Sequence, residues 1–333
     1  VSRTVLAAGL LALGVLASPA RALETDQFYA WDRSLSDASD AINAHINAEI
    51  AKALAGVNGR HHRGNCPCRT AEDAIRGHFK YLIFPRPEQW TIKTTLVERI
   101  PATADEEPEY RRLYLFGGTS RLDPVRWMPP SPTIEVDGIR IGTDKIGHFF
   151  SDGSWIQRTY RRAARNGASE EEAVRQAVMF GVLTEKTILG QSSSGIFSLA
   201  DLEANYRGLQ FYRGLCDGPN PALVRDERGW RLDRPFDIRD QVSPEWDESW
   251  QPNVYTSYRW TKVKPVMLRY CARLQDPEVQ RRRSAYAARD RDTPTEAIVR
   301  QLVASGKLAD PWQFSIEAAC AVVPSEAPRG SGR

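Results

Sequence analysis

The residues best suited to chemistry lie between Gly142 and Gly208, where the chain reads GTDKIGHFFSDGSW, then VRQAVMFGVLTEK, then GIFSLADLEANYRG. Asp144 and His148 are four apart, so on a helix they share one face, with Asp152 a further turn on. Glu185 falls on the apolar stripe Val174, Val178, Gly181, Ile188 of a second helix. A carboxylate there is costly unless it is paired, protonated or bound to a cation. Ser198 is a natural N-cap with Asp201 three residues on, and Asp201 and Asn205 share a face of a third helix. One imidazole and three carboxylates fit three kinds of chemistry. As ligands, Asp144, His148, Glu185 and Asp201 would suit a hard or borderline cation such as Zn²⁺, Mn²⁺ or Mg²⁺. As acid–base groups, His148 would be poised by Asp144 or Glu185 to work near neutral pH. As a structural network, Lys145 and His148 would neutralise the carboxylates and fix the helix packing. The sequence leaves all three open, so metal and cofactor stay unassigned.

Three helices must position these groups. Apolar spacing predicts them over 144–165, 170–189 and 199–213, with Gly208 on the inward face of the third permitting a close approach. The segment 133–141 carries Asp137-Gly138 between Ile134/Val136 and Ile139/Ile141, a hairpin signal, and its last strand runs directly into Asp144. Residues 91–100 and 111–116 are also β-rich, separated by Pro-punctuated loops. Helical spacing recurs over 34–54 and 70–82, with His45 beside the first stripe and His78 in the second segment, and again over 266–274, 276–288, 294 onward behind a Thr293 cap, and 311–320. The fold class expected is α+β, mainly helical: a three-helix polar core beside a small antiparallel sheet or hairpins, stapled by disulfides.

The ordered set Asp144, Lys145, His148, Phe149, then Glu185, then Ser198, Asp201, Asn205 and Gly208 resembles the pattern of VanZ-like proteins. Smaller periplasmic YfiM-like lipoproteins carry a related DKxxHF opening. The matching stretch covers about a fifth of the chain. It departs from the family in having Ile188 where a Gln is usual, and Ser193 and Ser194 where an Arg precedes the Ser-x-x-Asp turn. VanZ-like helices also span membranes, whereas these are too polar to do so. The resemblance implies envelope work, glycopeptide resistance included. It supplies a site more than an activity: His148, Glu185, Asp144 and Asp201 are the catalytic candidates, and Lys145, Asn205 and Ser198 the ligand-binding ones.

The remaining features set the compartment. Residues 1–22 read as a signal peptide, with Arg3 ahead of an apolar run and Ala20-Arg21-Ala22 as the cleavage site. A single exported domain over 23–320 and a disordered tail over 321–333 follow, placing the protein in the periplasm or outside the cell, with no spanning segment in the mature chain. A formal charge of +3 is too small to argue for a nucleic-acid partner. In an oxidising compartment Cys66, Cys68, Cys216, Cys271 and Cys320 form at most two disulfides and leave one thiol over. A rival reading takes His61, His62, Cys66 and Cys68 as a zinc cluster, although the usual spacer is missing. The long section 216–264 holds Trp230, Trp246, Trp250, Trp260, Tyr255 and Tyr258, which either line a sugar- or lipid-binding groove or anchor a long loop. The anchoring role is the plainer of the two. Arg161-Arg162 and Arg281-Arg282-Arg283 read as solvated helix faces. No Walker, GxSxG, HExxH or CxxCH motif is present. Two classes of function therefore stand: an envelope enzyme acting on a lipid-linked or cell-wall substrate, or a non-catalytic envelope protein that binds a ligand or partner through the aromatic loop or is structural, its polar cluster only fixing helix packing.

Overall fold

The computed structural model describes residues 23–60, 66–80, 85–102, 106, 130–187, 190–192, 194–289 and 292–321. The expected signal peptide, the β-rich segment 111–116, His61, His62 and the tail beyond 321 lie outside them. The expectation of a mainly helical α+β protein with small antiparallel pairs and disulfides is met.

Ile42, Ile46, Ile50, Leu54 and Val57 recur at helical spacing along Ser39–Arg60, and all are buried. This helix starts later than expected because Leu35 and Ala38 belong to an extended approach in which the Ala38 amide donates to Glu135 O at 2.8 Å. It packs against Cys68–Phe79. Residues 91–100 correct the β expectation. Residues 91–93 form the last turn of a short helix, Arg86–Lys93, with Pro87 in its first turn, and the Thr91 hydroxyl donates back to Pro87 O at 2.8 Å. Only Ile100 pairs as strand, exchanging hydrogen bonds of 2.9 and 2.8 Å with Thr133.

Strands Thr133–Val136 and Ile139–Gly142 form the expected hairpin, with Ile134 opposite Ile141 and Val136 opposite Ile139. Asp137 and Gly138 turn it with φ of 52° and 75°, the paired positive values of a type I′ turn. All four apolar side chains are fully buried. The second strand passes straight into the first site helix, as its sequence implies. That helix has three parts: an α-helical turn Thr143–Gly147, a π-helical turn His148–Asp152, and the α-helix Gly153–Arg165. The second site helix, Glu170–Lys186, is capped by Ser169 and ends three residues short of the expected limit. The third, Leu199–Cys216, runs three residues beyond it. The third helix lies between two cores. Leu199 and Leu202 join the core formed with the C-terminal helices, and Ala204, Tyr212 and Leu215 join the core around the hairpin and Phe149, Phe150 and Trp246.

Section 216–264 is less irregular than its composition suggests. It contains a second hairpin, Leu223–Asp226 with Gly229–Leu232, and the start of helix Ser257–Met267. Asparagines of Ser39–Arg60 hold its backbone: Asn58 bonds Trp230 in both directions, Asn47 does the same with Phe236, and Asn43 accepts from the Ile238 amide. The rest of the chain is helical at Pro277–Ala287, Pro294–Ala304 behind the expected Thr293 cap, and Ile316–Ala321, while Leu268–Gln275 and Pro311–Phe314 tighten to 3₁₀ turns. Arg161 is no solvated residue; it pairs with Glu72 and Asp73.

Cys68 bonds Cys216 and Cys271 bonds Cys320, leaving Cys66 as a buried thiol. The first bridge ties a flanking helix to the end of the third site helix, as expected of a staple. The second stays within the C-terminal part. A Cys68 sulfur held in a disulfide cannot serve as a thiolate ligand, which removes the zinc reading of Cys66 and Cys68.

Candidate functional site

Asp144 sits in the first turn of its helix, where a carboxylate is favoured by the helix dipole. Its Oδ1 accepts from the Thr25 hydroxyl at 2.8 Å. A Cβ on Gly142 would stand 1.9 Å from Thr25 Oγ1 and 2.0 Å from Asp144 Oδ1, so this bond depends on residue 142 having no side chain. Lys145, the next residue, is fully buried. Its ammonium lies 2.6 Å from Asp144 Oδ2 and 2.7 Å from Asp201 Oδ1, and also contacts Glu248 Oε1. Burial of three carboxylates around one lysine is sustainable because each retains a charged partner and further donors. Glu248 also accepts from Asn253 Nδ2 at 3.0 Å and from Ser198 Oγ at 3.5 Å. Burial is the main reason its carboxyl is pushed up to about 7; Lys145 opposes the rise, and Asp144 and Asp201 add to it.

The π turn sets the position of His148. Its extra residue redirects carbonyls out of the usual ladder, and the Tyr212 hydroxyl takes the Phe150 carbonyl at 2.8 Å. His148 Nδ1 lies 3.0 Å from Asp152 Oδ2 and 3.2 Å from Asn205 Oδ1. Both partners are acceptors, so they orient the ring through Nδ1. Nε2 faces Asp201 Oδ2 at 3.3 Å. The other oxygen of Asp201 is the one held by Lys145, while its amide donates to Ser198 Oγ at 3.1 Å, the N-cap read from the sequence. The His148 side chain keeps 11% of its surface exposed, more than Asp144 at 6% or Asp201 at 4%, so the imidazole is the least buried of the three.

Six of the sequence-predicted site residues, Asp144, Lys145, His148, Ser198, Asp201 and Asn205, thus meet in one network. Glu185 is also fully buried, with its Oε2 beside the turn at Gly190, where an added Cβ would stand 2.9 Å away. Glu248 is the carboxylate the sequence did not reveal; it sits in the run DESW with no periodic stripe to mark it. Thr25 and Asn253 were equally unmarked. The turn ahead of Ser198 receives Arg259 from helix Ser257–Met267, whose Nε donates to Ser194 O at 2.7 Å.

The aromatic residues of section 216–264 act as anchors. Trp246 is fully buried against Phe149 at 5.9 Å, Trp250 meets Tyr286 edge-on, and Tyr255 stacks on Trp260, while Tyr258 stays exposed. His45 stacks on Trp90 with ring centroids 4.0 Å apart, and His78 Nε2 lies 2.6 Å from Glu49 Oε2, a partner its sequence position did not suggest. Compared with protein-family models, with characterised proteins and with solved structures, the chain matches none.

Proposed function

We propose that this chain is an extracytoplasmic cell-envelope protein whose working centre is the Asp144–Lys145–His148–Asp201 cluster, acting on a lipid-linked or cell-wall substrate. The observation that carries the reading is the orientation of His148. Asp152 and Asn205 hold Nδ1 while Nε2 lies beside the Asp201 carboxylate, an arrangement suited to exchanging a proton or binding a cation. A packing residue needs no such directed pair at the most exposed point of a buried network. Two disulfides fit a compartment outside the cytoplasm. Among the described residues, no helix is long and apolar enough to cross a membrane. The ordered likeness to VanZ-like positions supports the envelope assignment. The second reading, a structural network, is favoured by the complete burial of Lys145 among Asp144, Asp201 and Glu248.

Complementation separates the two. In a host deleted for the gene, we expect His148→Gln to be exported and folded at wild-type levels, yet to leave cells sensitive to detergent and cell-wall-directed antibiotics. A variant that restores full resistance would remove the working-centre reading. Loss of the folded variant together with loss of resistance would favour the structural one.

A further inference from the structure

This inference rests on the reading of the cluster as a working centre. We infer that Asp144, His148 and Asp201 form a binding site for a borderline divalent cation, Zn²⁺ or Mn²⁺, with coordination positions left open for an oxygen ligand. One ligand atom from each of the three lies within 4.8 Å of the others, and all three residues are buried. His148 Nδ1 faces Asp152 Oδ2 and Asn205 Oδ1, and Nε2 faces Asp201 Oδ2 across 3.3 Å. That spacing suits a cation bound to both, because ligand atoms bound at about 2.1 Å sit about 3.0–3.4 Å apart along one edge of a coordination shell. A carboxylate and an amide oxygen on the non-ligating nitrogen are also the partners that orient metal-binding histidines.

Charge and an unsatisfied donor give independent support. Asp144, Asp201 and Glu248 share the single ammonium of Lys145, so a dication beside Asp144 and Asp201 offsets buried negative charge. Lys145 and Thr25 occupy one lone pair on each Asp144 oxygen and leave the second for a metal. Asn205 is fully buried, and its Nδ2 has no hydrogen-bond partner among the described residues. A buried donor beside His148 calls for an acceptor, and the oxygen of a cation-bound water or substrate supplies one. Two carboxylates with one imidazole select a borderline ion, and three protein ligands with open positions are the pattern of catalytic rather than structural sites.

The test titrates chelator-treated full-length protein with ZnCl₂ and with MnCl₂ by calorimetry, with melting temperature as a second readout. We expect saturable binding of a single equivalent and a rise in melting temperature that EDTA reverses. His148→Gln and Asp201→Asn, checked for folding by circular dichroism, should weaken affinity by at least about tenfold. If either variant fails to fold, electron paramagnetic resonance of the wild-type Mn²⁺ complex carries the test, with a directly bonded nitrogen coupling expected from His148. Absence of saturable binding, unchanged affinity in folded His148→Gln, or a Mn²⁺ signal without nitrogen coupling would overturn the cation site. The two readings fail separately. No cation binding, with His148→Gln still unable to complement, removes the cation site alone; full complementation by His148→Gln removes the working centre itself.

Discussion

His148 shows how little of a functional group's behaviour resides in the residue itself. Its role follows from the acceptors on Nδ1 and the carboxylate beyond Nε2, drawn from its own π turn and from the third helix. Glu248 illustrates the same point through protonation. Its ordinary value is 4.5, and burial lifts it to about 7 in the folded chain. Between those values the folded state holds a proton that the unfolded state has released. Stability therefore falls as pH rises through that window. Glu248→Gln keeps an acceptor for Lys145 and removes the titration, so its urea midpoint should change less between the acidic and neutral ends of the window than that of the wild type. Equal slopes for the two proteins would show that Glu248 does not titrate in this way.

At the scale of elements, the contact between the first and third site helices governs the cluster. A Cβ on Gly208 would stand 2.0 Å from the Phe149 carbonyl, and one on Gly153 would stand 2.6 Å from the Gly208 Cα. These are backbone atoms, which cannot swing aside. Gly208→Ala should destabilise the protein by about 2–4 kcal/mol in urea unfolding. It should also disturb the π turn, since the carbonyl it strikes belongs to that turn. Gly214 lies on the same helix with nothing within 4 Å of its added Cβ. Gly214→Ala should therefore be neutral or stabilising by up to about 1 kcal/mol. Comparable losses in both variants would mean that helix propensity rather than close approach sets the requirement at 208.

Across the whole molecule, covalent bridges and asparagine contacts order long stretches that carry few regular elements. Cys68–Cys216 joins residues 148 apart in sequence and Cys271–Cys320 joins residues 49 apart. Each bridge contributes about 2–5 kcal/mol, the longer loop the more, by restricting the unfolded chain. Cys68→Ala/Cys216→Ala should accordingly lower the melting temperature further than Cys271→Ala/Cys320→Ala, and differential scanning calorimetry would rank them. Native-state alkylation should leave Cys66 unmodified because it is only 3% exposed, whereas unfolding without reductant should yield a single labelled cysteine. More than one label would contradict the pairing.

Local signals were sufficient wherever one short segment decides its own structure. The Asp137-Gly138 turn demands positive φ, the Ile42–Leu54 spacing demands a buried helical face, and Ser198 caps the helix that starts at Leu199. The convergence of Asp144, His148, Asp201 and Asn205 was legible too, because inward polar groups on apolar helices have few places to go; Glu185, expected with them, is buried beside the Gly190 turn. Residues 91–100 misled because β-branched content is a weak prior beside Pro87 and the packing of a short helix. The π turn at His148–Asp152, the arrival of Glu248 from a loop 103 residues beyond Lys145, and Arg259 at the Ser194 turn left no periodic trace. Each depends on a contact between distant segments: a carbonyl that accepts from Tyr212, a charge met by a lysine, a guanidinium bonded to a turn. Such contacts depend on where the rest of the chain lies, and only the tertiary structure decides that.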